Sequence, residues 1–190
     1  MLKVCGVRLA VHGLESIDLE KHYIYVANHA SLFDIPAVVC AVKGKVRFVY
    51  KKELERVPIW GWAMKFTKQH ISTVRGHGPS AMQSLDNAVE RMHSGASVLM
   101  FAEGTRTPDG NLQPFKRGAF KLALRAEVPV VPLTIKGSFH ILPKHTFRIN
   151  PGTITLEFDK PIFSKQSNGK SSEMQLSEEV RNVIEQHIMN

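Results

Sequence analysis

Apolar positions along this chain switch repeatedly between the period of a strand and the period of a helix. The stretch "HYIYVANH" (22–29) is β-branched and aromatic and predicts a strand. "VRFVYKKE" (46–53) and "HISTVR" (70–75) predict further strands. "ASVLMFAEG" (96–104) reads as a buried strand running into a turn, and "VPVVPLTIKG" (128–137) as another strand. "GTITLEFDKPI" (152–162) alternates with period two, as a strand with one covered face does.

Helical spacing fills the gaps. In "PSAMQSLDNAVERMHSG" (79–95), Met82, Leu85, Val89 and Met92 line one face, Ser80 is placed to cap the start, and Gly95 to end it. "KRGAFKLALRAE" (116–127) and "MQLSEEVRNVIEQHIM" (174–189) are amphipathic helices, and the short apolar run "IPAVVCAVK" (35–43) is read as one. The polar stretch "SKQSNGKSSE" (Ser164–Glu173) reads as a flexible loop. Strands alternating with helices imply an α/β fold, a sheet covered by helices, in which polar sites gather at strand ends. His29, Arg75 and Glu103 all fall at such ends.

At 190 residues the chain fits one domain spanning 1–190. Its longest apolar runs, such as "IPAVVCAV" and "VPVVPLTI", fall well short of the roughly 20 residues that cross a bilayer. Cys5 and Cys40 make neither a disulfide framework nor a metal-ligand cluster, so a reducing compartment is expected. The formal charge of +8, from 25 Lys and Arg against 17 Asp and Glu, suits an anionic partner. Nucleic acid, an anionic membrane surface and a phosphorylated substrate all answer that description.

Four stretches carry candidate chemistry. In "YVANHASLFDIP" (25–36) a histidine at a strand end is followed five residues later by Asp34. A carboxylate that folds back on His29 fixes its tautomer and stabilises the imidazolium, which makes a general base. The same residues also fit a helix cap, Ser31-x-x-Asp34, with no chemistry at all. In "FAEGTRTPDG" (101–110), Gly104 allows close approach of a ligand, Thr105 offers a hydroxyl, and Arg106 a planar fork suited to phosphate oxygens. Lys116 and Arg117 stand at a helix entrance, where N–H groups already favour an anion. Arg75 adds a fourth cation. Trp60, Trp62 and Phe66, fringed by Lys51, Lys52, Lys65 and Lys68, suit either a membrane-interface segment or a buried helix.

The order "NHASLFD", "KKEL...P..GW", "ISTVRG", "FAEGTR", "FKRGA", "VPVVPL" resembles the 1-acylglycerol-3-phosphate acyltransferase family, the lysophosphatidic acid acyltransferases, over residues 23–137. The strand and helix of 150–190 lie beyond these motifs. The resemblance implies a single α/β domain with a mixed, mostly parallel sheet flanked by helices, as in glycerol-3-phosphate acyltransferases. It implies His29 as base and Asp34 as its orienting partner, acting on the sn-2 hydroxyl of a lysophospholipid. The acyl donor would be acyl-CoA or acyl-carrier protein. Arg75, Glu103, Gly104, Thr105 and Arg106, with Lys116 and Arg117, would hold the phosphate, and Pro132 would lie near the acyl-donor site. No metal or redox cofactor and no nucleic acid is called for. About two dozen residues precede the first motif, none forming a membrane-length run. Peripheral attachment to the cytoplasmic face of an anionic membrane is therefore expected, unless an anchor lies outside this sequence.

Three other readings compete. A related acyltransferase would act on a different lysophospholipid or a lyso-ornithine lipid. A serine hydrolase would use Ser31 with His29 and Asp34, though the Gly-x-Ser-x-Gly elbow is missing. A nucleic-acid binder would explain the charge, but no zinc-finger spacing, aromatic RNA motif or basic zipper is present.

Overall fold

Parallel strands buried on both faces read as unbroken apolar runs, and the centre of this protein is built from such runs. The computed structural model of the chain describes residues 2–44, 46–51, 71–73, 79–146, 148–163 and 170–189. Within them, strands β1 (Val7–His12), β2 (Ile24–Ala27), β3 (Val46–Lys51), β4 (Ile71–Thr73), β5 (Ser97–Phe101), β6 (Val130–Lys136) and β7 (Gly152–Phe158) form one seven-stranded sheet. Its order is β1-β7-β6-β2-β5-β3-β4. β2 is buried at every position, and β6 at every position but Lys136.

Helices α1 (Asp34–Ala41), α2 (Pro79–His93), α3 (Gly118–Ala126), α4 (Ser138–Ile141) and α5 (Lys170–Met189) cover the sheet. Alternation along β2 sorts the core into two layers. Tyr25 and Ala27 join Phe33, Ala37 and Val38 around α1 on one face. Ile24 and Val26 join Met92 of α2, Phe120 and Leu122 of α3, and Val180 and Ile184 of α5 on the other.

Every described strand pairing is parallel except β6 with β7. The single α/β domain with a mixed, mostly parallel sheet is thus the expected architecture. Because β2, β5 and β6 run in one direction, their carboxyl ends share one edge. That edge collects the site. Gly137, with φ +82°, turns β6 into α4 there, since a Cβ at this position would meet the Thr153 carbonyl oxygen at 2.2 Å.

Two local expectations are corrected, and one strand lies where the pattern assigned nothing. β1 pairs in parallel with β7 and forms the sheet's edge. Its short, mixed pattern, only Val7 fully buried, carries little periodic signal. Ser80 is the second residue of α2 rather than its cap, because the helix opens at Pro79, whose fixed φ suits a first turn. The loop expected over Ser164–Glu173 is helical from Lys170 onward, where Leu176, Val180 and Ile184 pull α5 onto the sheet.

Candidate active site

The site begins where β2 leaves the ladder. Asn28 donates from Nδ2 to the Ile135 carbonyl at 2.9 Å and accepts the Ile135 N–H on Oδ1 at 2.8 Å. A side chain replaces a backbone pair, so β2 can turn away from β6 while both polar groups of Ile135 stay satisfied. Sequence reasoning passed over Asn28. Its position beside His29 at a strand end was the available signal.

His29 follows. Its Nδ1 lies 2.8 Å from Asp34 Oδ2, and the same oxygen accepts the N–H groups of Ala30 and Ser31 at 2.8 Å each. Three donors therefore converge on one oxygen of a side chain with no exposure. Asp34 is the first residue of α1, where a negative group also meets the positive end of the helix. The cap and the His–Asp pair are thus one arrangement. With Nδ1–H directed at Asp34, the Nε2 lone pair is available to take a proton. The His29 side chain is 14% exposed, enclosed yet open to solvent. Its ring stacks on Phe101, the last residue of β5.

Glu103 sits inward. Only 2% exposed, it accepts the His29 N–H on Oε1 at 2.7 Å and the Gln113 N–H on Oε2 at 3.0 Å. Burial pushes this carboxyl up to about 7, against the pull of those two hydrogen bonds; the charge of Asp34 raises it further and that of Arg181 lowers it. The expectation that Glu103 touches a phosphate is therefore corrected: both oxygens are engaged by backbone groups beneath the site. Thr107, next along the loop, donates its N–H to the His29 carbonyl at 2.8 Å.

The other expected residues divide by surroundings. Gly104 adopts φ +70°, in a turn closed by its own N–H on the Phe101 carbonyl at 2.9 Å. Thr105 and Lys116 are exposed and Arg106 half-buried. Arg106 and Lys116 form no ion pair with a described carboxylate. Arg117 differs: its Nε and Nη2 both donate to Glu173 Oε2 of α5, at 2.9 and 2.5 Å. Its guanidinium already has a counter-ion and links α3 to α5. Pro132 is buried inside β6, opposite Val26. Arg75, Trp60, Trp62 and Phe66 lie outside the described residues.

Ser31 is fully buried and donates its hydroxyl to the Leu142 carbonyl at 3.0 Å. It braces the turn against the segment after α4 and is not presented as a nucleophile. Among the described residues no group of three or more His, Cys, Asp or Glu is placed to hold a metal ion. Chemically, the arrangement offers one histidine base with a fixed tautomer, and two cations, Arg106 and Lys116, on segments whose backbone meets the ends of β2 and β5 through the Thr107 N–H on the His29 carbonyl and the Lys116 N–H on the Ala102 carbonyl.

Comparison with known proteins identifies the family. A family model described as Acyltransferase matches residues 8–136. A chloroplastic 1-acyl-sn-glycerol-3-phosphate acyltransferase of Brassica napus is 34% identical over 92% of this chain and 49% of its own length. The 1-acyl-sn-glycerol-3-phosphate acyltransferase of Pseudomonas aeruginosa is 35% identical over 80% of this chain and 58% of its own. The chain thus spans about half the length of the curated relatives it matches. The crystal structure of the 1-acyl-sn-glycerophosphate acyltransferase of Thermotoga maritima superposes with a TM-score of 0.80 at 29% identity, covering 96% of this chain and 71% of that one.

Proposed function

The chain belongs to the acyltransferase family, and from that premise we propose that it acylates the sn-2 hydroxyl of 1-acylglycerol-3-phosphate to give phosphatidic acid. The observation that carries the reading is the His29 Nδ1 to Asp34 Oδ2 contact of 2.8 Å, which leaves Nε2 as the proton acceptor. The names of the relatives support the choice of acceptor.

His29 Nε2 takes the proton of the acceptor hydroxyl as that oxygen bonds to the carbonyl carbon of an acyl thioester. The tetrahedral intermediate collapses by breaking the carbon–sulfur bond. The proton on Nε2 passes to the departing sulfur, so base and acid are the same imidazole. Asp34 holds the ring and offsets the positive charge that His29 carries between the two transfers. Arg106 and Lys116, with Thr105 and the Gly104 turn, receive the phosphate of the acceptor. A guanidinium and an ammonium without carboxylate partners among the described residues suit that task better than Arg117, already neutralised by Glu173.

The donor is an acyl thioester of coenzyme A or of acyl-carrier protein, and the acceptor is met at an anionic membrane surface, which suits a net charge of +8. Among the described residues no helix is long and apolar enough to cross a membrane. A matrix of acyl-CoA and acyl-carrier-protein donors against lysophosphatidic acid, other lysophospholipids and lyso-ornithine lipid tests the reading. Turnover confined to phosphate-free acceptors would overturn the acceptor, and no transfer from any thioester would overturn the reaction. Co-flotation with phosphatidylglycerol vesicles but not phosphatidylcholine vesicles is expected; equal flotation or none would overturn the anionic surface.

A further inference from the structure

His29 is held at four points. Asp34 and Phe101 hold the ring, Thr107 holds the carbonyl, and Glu103 holds the N–H. Asp34 and Glu103 are both buried carboxyls; Asp34 meets the His29 ring and the start of α1, whereas Glu103, kept charged away from water, needs a counter-charge of its own. Two backbone N–H groups help it, and the charge of nearby Asp34 opposes it. The described cation whose charge acts on it is Arg181.

Arg181 lies in α5, outside the segment that the family model matches. Its Nη1 donates to the Gln113 carbonyl at 3.0 Å, while the N–H of the same residue donates to Glu103 Oε2 at 3.0 Å. Pro114 follows, and a residue before proline is biased to extended backbone, so Gln113 acts as a stiff strut between the two. The guanidinium is itself fixed, with Nη2 on Glu185 Oε1 at 2.5 Å and its carbon 5.4 Å from the Phe115 ring centroid. A planar fork reaches a carbonyl, a carboxylate and an aromatic face at once, which a lysine cannot do.

We propose that Arg181 is a positioning residue for His29, acting from the C-terminal helix through Gln113 and Glu103. It does two things. It fixes the Gln113 residue that occupies one Glu103 oxygen, and its charge favours the ionised carboxyl that accepts both N–H groups. A protonated Glu103 keeps only one good acceptor for two donors, so the His29 backbone loosens. The inference rests on the reading of His29 as base.

In Arg181→Met, assayed well below its melting temperature, kcat is expected to fall by about tenfold, the scale of a small misplacement at a reacting group. KM for donor and acceptor should stay nearly unchanged, and the acidic limb of the kcat–pH profile should move to higher pH. Arg181→Lys keeps the charge but loses the fork, so the limb should return toward wild type while kcat stays reduced. A wild-type kcat and pH limb in Arg181→Met, or a loss confined to KM, would overturn the proposal. Should that variant fail to fold, an unchanged kcat in Arg181→Lys would overturn it equally. Exchange of the His29 amide hydrogen, followed by NMR, reads the relay without any activity. Faster exchange in Arg181→Met, or in Arg181→Lys if Met does not fold, is expected; an unchanged rate overturns the relay, whereas activity surviving in His29→Ala overturns only the base.

Discussion

The imidazole of His29 lies flat on the ring of Phe101, their centroids 3.8 Å apart and their planes 15° from parallel. β2 and β5 are parallel neighbours with Ala27 opposite Phe101, so the sheet's register brings the two rings together. Phe101→Ala removes one wall of the imidazole and lets it leave the Asp34 contact. A drop in kcat of about tenfold is expected from misorientation, with Phe101→Tyr close to wild type. Steady-state rates of the two variants check this, and an unaffected Phe101→Ala would assign the ring to packing alone.

Asp34→Asn replaces the oxygen on which three donors converge. The amide can still accept on one atom, but it no longer selects the Nδ1–H tautomer or offsets the imidazolium. Loss of kcat by roughly 10³-fold or more is expected, by analogy with tautomer loss in serine-protease triads. Activity within a few-fold of wild type in a folded protein would remove Asp34 from the mechanism.

Asn28→Ala strips partners from both the N–H and the carbonyl of Ile135 in a buried strand. Two orphaned groups predict destabilisation of about 3 kcal/mol in denaturant unfolding. A change under about 0.5 kcal/mol would mean that water replaces the amide at no cost.

Glu103 makes the stability of the fold depend on pH. Its carboxyl is raised from 4.5 to about 7 in the folded chain, so between those values the native state holds a proton that the unfolded state has lost. Its contribution is fully present below pH 4.5 and disappears as pH rises through about 7. Unfolding free energy should therefore fall across that window in wild type more than in Glu103→Gln, compared at each pH. Parallel curves for the two proteins would contradict the assignment.

The sheet was legible because its central strands are buried on both faces, which leaves no competing period in "HYIYVANH" or "VPVVPLTIKG". The His29–Asp34 contact was legible because both residues belong to one turn. What was missed is long-range. Asn28 answers Ile135, 107 residues away, and Arg117 answers Glu173, 56 residues away. A local window shows a cation or an amide but not its partner, so Glu103 and Arg117 looked like groups awaiting a ligand. β1 escaped notice because an edge strand with one fully buried residue has little pattern to show.

In the proposed reaction His29 Nε2 takes the proton of a lysophospholipid hydroxyl. The direct measurement is the rate of acyl transfer from acyl-CoA to lysophosphatidic acid by purified wild type and His29→Ala, at equal melting temperature and saturating substrates. A fall of at least about 10³-fold in kcat with little change in KM is predicted. Retention of near wild-type kcat in the folded variant would contradict it.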